Sequence, residues 1–63
     1  MEGRKELVEA LAEYGWTIQR DGWRAGEPVI ERYERKIPEF RRWAHALGIM
    51  LRTKELLAGL AQQ

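Results

Sequence analysis

The stretch "YGWTIQRDGWRAGEP", Tyr14 to Pro28, sets two tryptophans and a tyrosine around an Asp-Gly pair in a chain of 63 residues. Apolar residues alternate from Trp16 to Arg20, and Asp21-Gly22 is a strong signal for a two-residue hairpin turn. The alternation resumes at Trp23, so the pattern predicts a small antiparallel β-hairpin over about 16–25. With Asp21 and Gly22 as the central pair, Trp16, Ile18, Trp23 and Ala25 share one face, and Thr17, Gln19 and Arg24 take the other. Arg20 then stands opposite Trp23 as a cation-π partner. A two-stranded ribbon is marginal alone, so its apolar face needs a helix or a neighbouring chain over it. On this reading the hairpin clips two helices together rather than gripping a ligand.

Upstream, Leu7, Val8, Leu11 and Ala12 recur at helical spacing among Lys5, Glu6, Glu9 and Glu13, which predicts an amphipathic helix over about 4–14. Gly15 is placed to end it in a left-handed conformation. Downstream, Gly26 opens the return and Pro28 suits a first helical turn. Ile30, Tyr33, Ile37, Phe40, Ala44, Leu47 and Leu51 then follow a 4-3 alternation, broadened by Val29, Trp43 and Met50. That seam predicts a long helix over about 28–47, kinked near Arg35 to Ile37 by Pro38. Gly48 is expected to end it, and Thr53 to cap a short helix over about 53–61 carrying Leu56, Leu57 and Leu60. The fold expected is mainly α, one small domain: a helical hairpin with a two-stranded β-hairpin at its tip, a kinked long helix and a short C-terminal helix.

A chain of this length leaves much of its apolar surface in water. It has no cysteine and a single histidine, His45, so neither a disulfide nor a structural zinc site can staple it. Oligomerisation or a partner chain is the expected supplement. The broad seam is the natural interface, through Ile30, Tyr33, Ile37, Phe40, Trp43 and Leu47. Glu2, Glu6, Glu9 and Glu13 rule out a secretory apolar region, and no window approaches the ~18 apolar residues of a membrane span. A cytoplasmic protein with no membrane partner is expected.

Nucleophilic catalysis has no starting point, because the sequence lacks Ser and Cys and neither Thr17 nor Thr53 has a predicted base nearby. "GWRAGEP" lacks the spacing and the lysine of a phosphate loop. The glutamates of the first helix read as a solvated stripe and His45 as an edge residue. No enzyme activity, metal, cofactor or small-molecule substrate is expected. Nucleic acid is a candidate partner, although the net charge is only +1. Bases concentrate between Arg20 and Lys54, and Arg35, Lys36, Arg41, Arg42, Arg52 and Lys54 are the candidate phosphate contacts.

From Leu11 to Ile49 the order of features resembles one family of tailed-phage terminase small subunits. The matching elements are Tyr14, Gly15, Thr17 and Ile18 for a "YG-T-I" segment, Gly22 and Pro28 for a glycine-containing link to a proline, Leu47, Gly48 and Ile49 for an "LGL" close, and then Arg52. Glu27 stands where the family usually has asparagine, and Met50-Leu51 where it has a Thr-Pro pair. The resemblance covers the oligomerisation and C-terminal half of such proteins, whose DNA-binding segment would lie upstream. It implies a helical subunit that assembles into rings, assists viral DNA packaging in the host cytoplasm and regulates the large subunit. The alternative is a small phage-type module that docks on and inhibits or regulates a host or viral enzyme.

Overall fold

The computed structural model describes residues 2–62 and contains three α-helices: α1 (Glu2–Asp21), α2 (Gly26–Glu34) and α3 (Phe40–Ala61). A single 3₁₀ turn, Trp23–Ala25, joins α1 to α2. The mainly helical class is as the sequence predicts. The β-hairpin over 16–25 is not there, and no strand occurs among the described residues.

The hairpin gives way to helix because the buried stripe of α1 runs past Gly15. Ala10, Tyr14 and Ile18 lie four residues apart and are all buried, with Leu7 and Leu11 packed against the same cluster. Burying Ile18 gains roughly 1.5–3 kcal/mol, more than the ~1 kcal/mol that a glycine inside a helix costs. The local alternation of Trp16, Thr17 and Ile18 therefore loses to the longer period. Gly15 does not take a left-handed conformation; among the described residues only Gly22 has a positive φ, at 96°. Gly22 is where α1 stops. Its N–H donates to the Ile18 carbonyl at 2.9 Å, and its ψ of 167° puts it in a region that essentially only glycine enters. Asp21-Gly22 is a chain reversal, as predicted, but one between helices.

Gly26 sets the approach of α2 to α1. A Cβ there would sit 2.6 Å from Cε2 of Tyr14 and 2.7 Å from Cγ2 of Ile18, so the α2 backbone rests directly on the α1 stripe. Pro28 falls in the first turn of α2, where its missing donor leaves no bond unmade. The pairings Gly26 with Ile18 and Tyr33 with Glu13 make α1 and α2 antiparallel.

At Pro38 the chain breaks instead of kinking. Lys36 and Ile37 both donate to the Tyr33 carbonyl, at 3.0 and 2.8 Å, and Phe40 donates to the Ile37 carbonyl at 2.9 Å. These tight turns carry the chain round the residue that cannot continue the helical ladder, and α3 folds back beside α1 and α2. The seam therefore closes on itself. Ile30 and Phe40 are 2% and 0% exposed, and Val29 and Ala44 complete the core with the α1 stripe. The Phe40 ring meets that of Tyr33 at 5.4 Å between centroids and a 48° tilt, a favourable aromatic arrangement.

Gly48 does not end α3, and Thr53 does not start a new helix. The Thr53 hydroxyl bonds back to the Ile49 carbonyl at 2.9 Å, as a threonine inside a helix does. Gly48 is buried under Tyr14 and Trp23, so close packing rather than termination explains its presence. α3 continues past the bundle, and from Arg52 to Gln62 every described residue is exposed. The molecule measures 43 × 24 × 16 Å along its principal axes.

Candidate functional site

Of the residues placed on the predicted interface, Ile30 and Phe40 are committed to the chain's own core. Tyr33, Ile37 and Leu47 are half-buried against that core. Trp43, at 46% exposed, is the member with substantial free surface.

A second apolar stripe lies on the other side of α3. Leu47 and Leu51 turn inward, and at about 100° per residue Ile49, Leu56 and Leu60 point the opposite way. Met50 and Leu57 flank them. All five are 61–68% exposed. With Thr53 they follow a 4-3-4 spacing, Ile49, Thr53, Leu56, Leu60, the signature of a helix face that packs on another helix. The sequence carried this signal, but reading Gly48 as a stop left Ile49 and Met50 in a link and put Leu56, Leu57 and Leu60 on a separate short helix. α1 adds exposed Val8 and Trp16, the latter 69% exposed. They border a shallow apolar groove with Leu11, Leu47 and Leu51.

The candidate phosphate contacts do not form one patch. Arg41 is held between two carboxylates of α2, Glu27 at 2.7 Å and Glu34 at 3.1 Å. Those bonds push the Arg41 guanidinium further up from its ordinary value, Glu27 contributing most, and hold the Glu27 carboxyl below its own. Arg52 lies over the Trp23 ring, 4.6 Å from the centroid. Arg35 and Lys36 are exposed in the turn between α2 and α3, Arg42 is exposed at the start of α3, and Lys54 is exposed on its projecting end. Arg42 and Lys54 are twelve residues apart along a helix, roughly 18 Å. Arg20, expected over Trp23, instead pairs with its neighbour Asp21 at 3.0 Å, because the helix directs the two residues away from each other.

Between α1 and α2 the Glu13 carboxylate accepts hydrogen bonds from the Tyr33 phenol and from Arg32, the latter at 2.7 Å. The Tyr33 bond holds Glu13 below the usual carboxylate range, outweighing the opposing effect of burial, and Arg32 adds smaller lowering contributions. The same bond raises the Tyr33 phenol.

At the junction of α1, the 3₁₀ turn and α3 there is a cleft of about 320 Å³ lined by Tyr14, Trp23, His45, Gly48, Ile49 and Arg52. Its floor depends on Gly48, where a Cβ would come 3.2 Å from Cζ3 of Trp23 and 3.5 Å from the Tyr14 hydroxyl. Tyr14 is 5% exposed, and burial raises its phenol above the ordinary value, with Glu27 adding to the shift and Arg52 opposing it. Tyr14 of α1 meets Gly48 of α3 at this cleft, and their neighbours Gly15 and Leu47 meet at the apolar groove beside Trp16.

No group of His, Asp or Glu suited to a metal ion occurs among the described residues, and no helix there is long and apolar enough to cross a membrane. No family model, curated protein or solved structure matches the chain.

Proposed function

We propose that this is a non-enzymatic, self-associating helical protein whose copies meet through the outward stripe of α3, Ile49, Met50, Leu56, Leu57 and Leu60. The observation that carries the reading is the stripe itself, an exposed apolar face that begins at the end of the bundle with Ile49 and Met50 and runs onto the projecting end of α3 with Leu56, Leu57 and Leu60. No described residue covers it, since its five side chains are 61–68% exposed, and a helical segment with no packing of its own is marginal in water. A face with heptad-like spacing is suited to pairing with a copy of itself about a two-fold axis. Burying these side chains on two copies removes apolar surface from water, against the translational and rotational freedom lost on association, so the extent of assembly depends on concentration. The resemblance to terminase small subunits extends the proposal to a role in viral DNA packaging, as an assembling subunit rather than as the catalyst.

Light scattering over a wide concentration range tests the reading. The wild-type mass should rise above that of one chain, whereas Leu56→Glu with Leu60→Glu should stay monomeric and retain the helical core. A wild-type protein that is monomeric throughout would remove self-association. Stoichiometric capture of an enzyme by that monomer would favour a regulatory module docking through the same stripe.

A further inference from the structure

The cleft beneath Trp23 has the makings of a ligand site that shares only Ile49 with the self-association stripe. Three of its polar groups are uncommitted. Tyr14 is nineteen-twentieths buried, yet among the described residues its hydroxyl has no hydrogen-bond partner. It is not an enclosed orphan either, so it opens onto the cleft. Arg52 makes neither a hydrogen bond nor an ion pair among the described residues. Its guanidinium carbon lies 4.6 Å from the Trp23 centroid, a cation-π contact that uses none of its N–H donors. His45 stands exposed at the rim. The nearest carboxylate that acts on Tyr14 is Glu27, and it is already engaged by Arg41.

The walls between these groups are apolar, the Trp23 ring and Ile49, and the floor is the Gly48 backbone, on which Trp23 and Tyr14 pack directly. The volume, about 320 Å³, falls at the lower end of small-molecule sites. We propose that this cleft binds a small aromatic carboxylate. The flat ring packs against Ile49 and the exposed part of Trp23, and the carboxylate takes hydrogen bonds from Arg52 and the Tyr14 hydroxyl. A planar monoanion fits better than a phosphate, because one guanidinium and one phenol supply a short, planar set of donors and the Gly48 amide is already spent inside α3.

Titration with 2-naphthoate, followed by the amide signal of Gly48 and the indole N–H signal of Trp23, tests the assignment. Both signals should shift and saturate. The neutral isostere 2-naphthamide should bind roughly tenfold more weakly, since it forfeits a charge-assisted bond. Arg52→Gln should weaken 2-naphthoate by a similar factor. Tyr14→Phe should weaken it several-fold while leaving the melting temperature unchanged, because the hydroxyl has no hydrogen-bond partner among the described residues. No saturable shift at millimolar 2-naphthoate, equal binding of the amide, or full affinity in Arg52→Gln would each overturn the proposal.

Discussion

The backbone of Gly26 lies against the ring of Tyr14 so closely that a Cβ on Gly26 would be 2.6 Å from Cε2, and 2.7 Å from the neighbouring Cγ2 of Ile18. Both obstructing groups belong to the buried stripe of α1, and neither is the free end of a long side chain. Gly26→Ala should therefore destabilise the fold by about 1–3 kcal/mol through overpacking, even though alanine is the better helix former. In a domain this small the melting temperature should fall by roughly 5–15 °C. An unchanged thermal transition would mean that α2 does not sit on α1 as closely as described.

Phe40 and Trp43 belong to one apolar seam in the sequence but have different fates in the fold. Phe40 is fully enclosed and Trp43 is about half exposed. Phe40→Ala should cost about 3–5 kcal/mol, comparable with the whole stability of a small domain without disulfides, and should abolish cooperative unfolding. Trp43→Ala should leave a cooperative transition at a moderately lower temperature. Similar losses for the two would contradict the packing of α3.

The contact between Tyr33 and Glu13 should show at both ends of the pH range. Glu13 is held below its ordinary value in the folded chain. Its contribution is thus present above the unfolded carboxyl value, near pH 4.3, and is lost as pH falls through the lower folded value. Tyr33 is raised, so its contribution is complete below the unfolded phenol value, about pH 10, and is lost as pH climbs through the higher folded one. Thermal melts across pH should show both limbs. Glu13→Gln should flatten both, while Tyr33→Phe should remove the alkaline limb and keep the part of the acid limb that Arg32 supports. A stability profile identical to wild type in Glu13→Gln would show that the contact contributes nothing.

Much of this arrangement is legible in the spacing of apolar residues. The seam from Ile30 to Leu51 identifies the α2 and α3 residues that face inward, and Asp21-Gly22 marks a reversal. What misleads is local chemistry competing with tertiary packing. Trp16-Thr17-Ile18 alternates like a strand, yet Ile18 is buried only if the helix continues from Tyr14. Gly15 and Gly48 look like terminators, but both lie inside helices; at Gly48 the reason for a glycine is the close approach of Trp23 and Tyr14, which are far away in sequence. The cleft has no local signature for the same reason. Tyr14, Trp23 and Arg52 lie on three different elements, and only the fold places Arg52, rather than Arg20, over Trp23.

Gly15 offers the sharpest test of that competition. A glycine that ends a helix in a left-handed conformation resists replacement, and alanine there costs stability. A glycine inside a helix is a liability that alanine relieves. In the fold described, Gly15 lies within α1, and a Cβ would meet Cδ2 of Leu47 at 3.6 Å, an ordinary van der Waals distance. Gly15→Ala should therefore stabilise the protein by about 0.5–1 kcal/mol and raise the melting temperature by several degrees, with helical circular dichroism kept or increased. A fall in stability would place the end of the first helix at Gly15 and return Trp16 to Ala25 to the hairpin that the local sequence predicts.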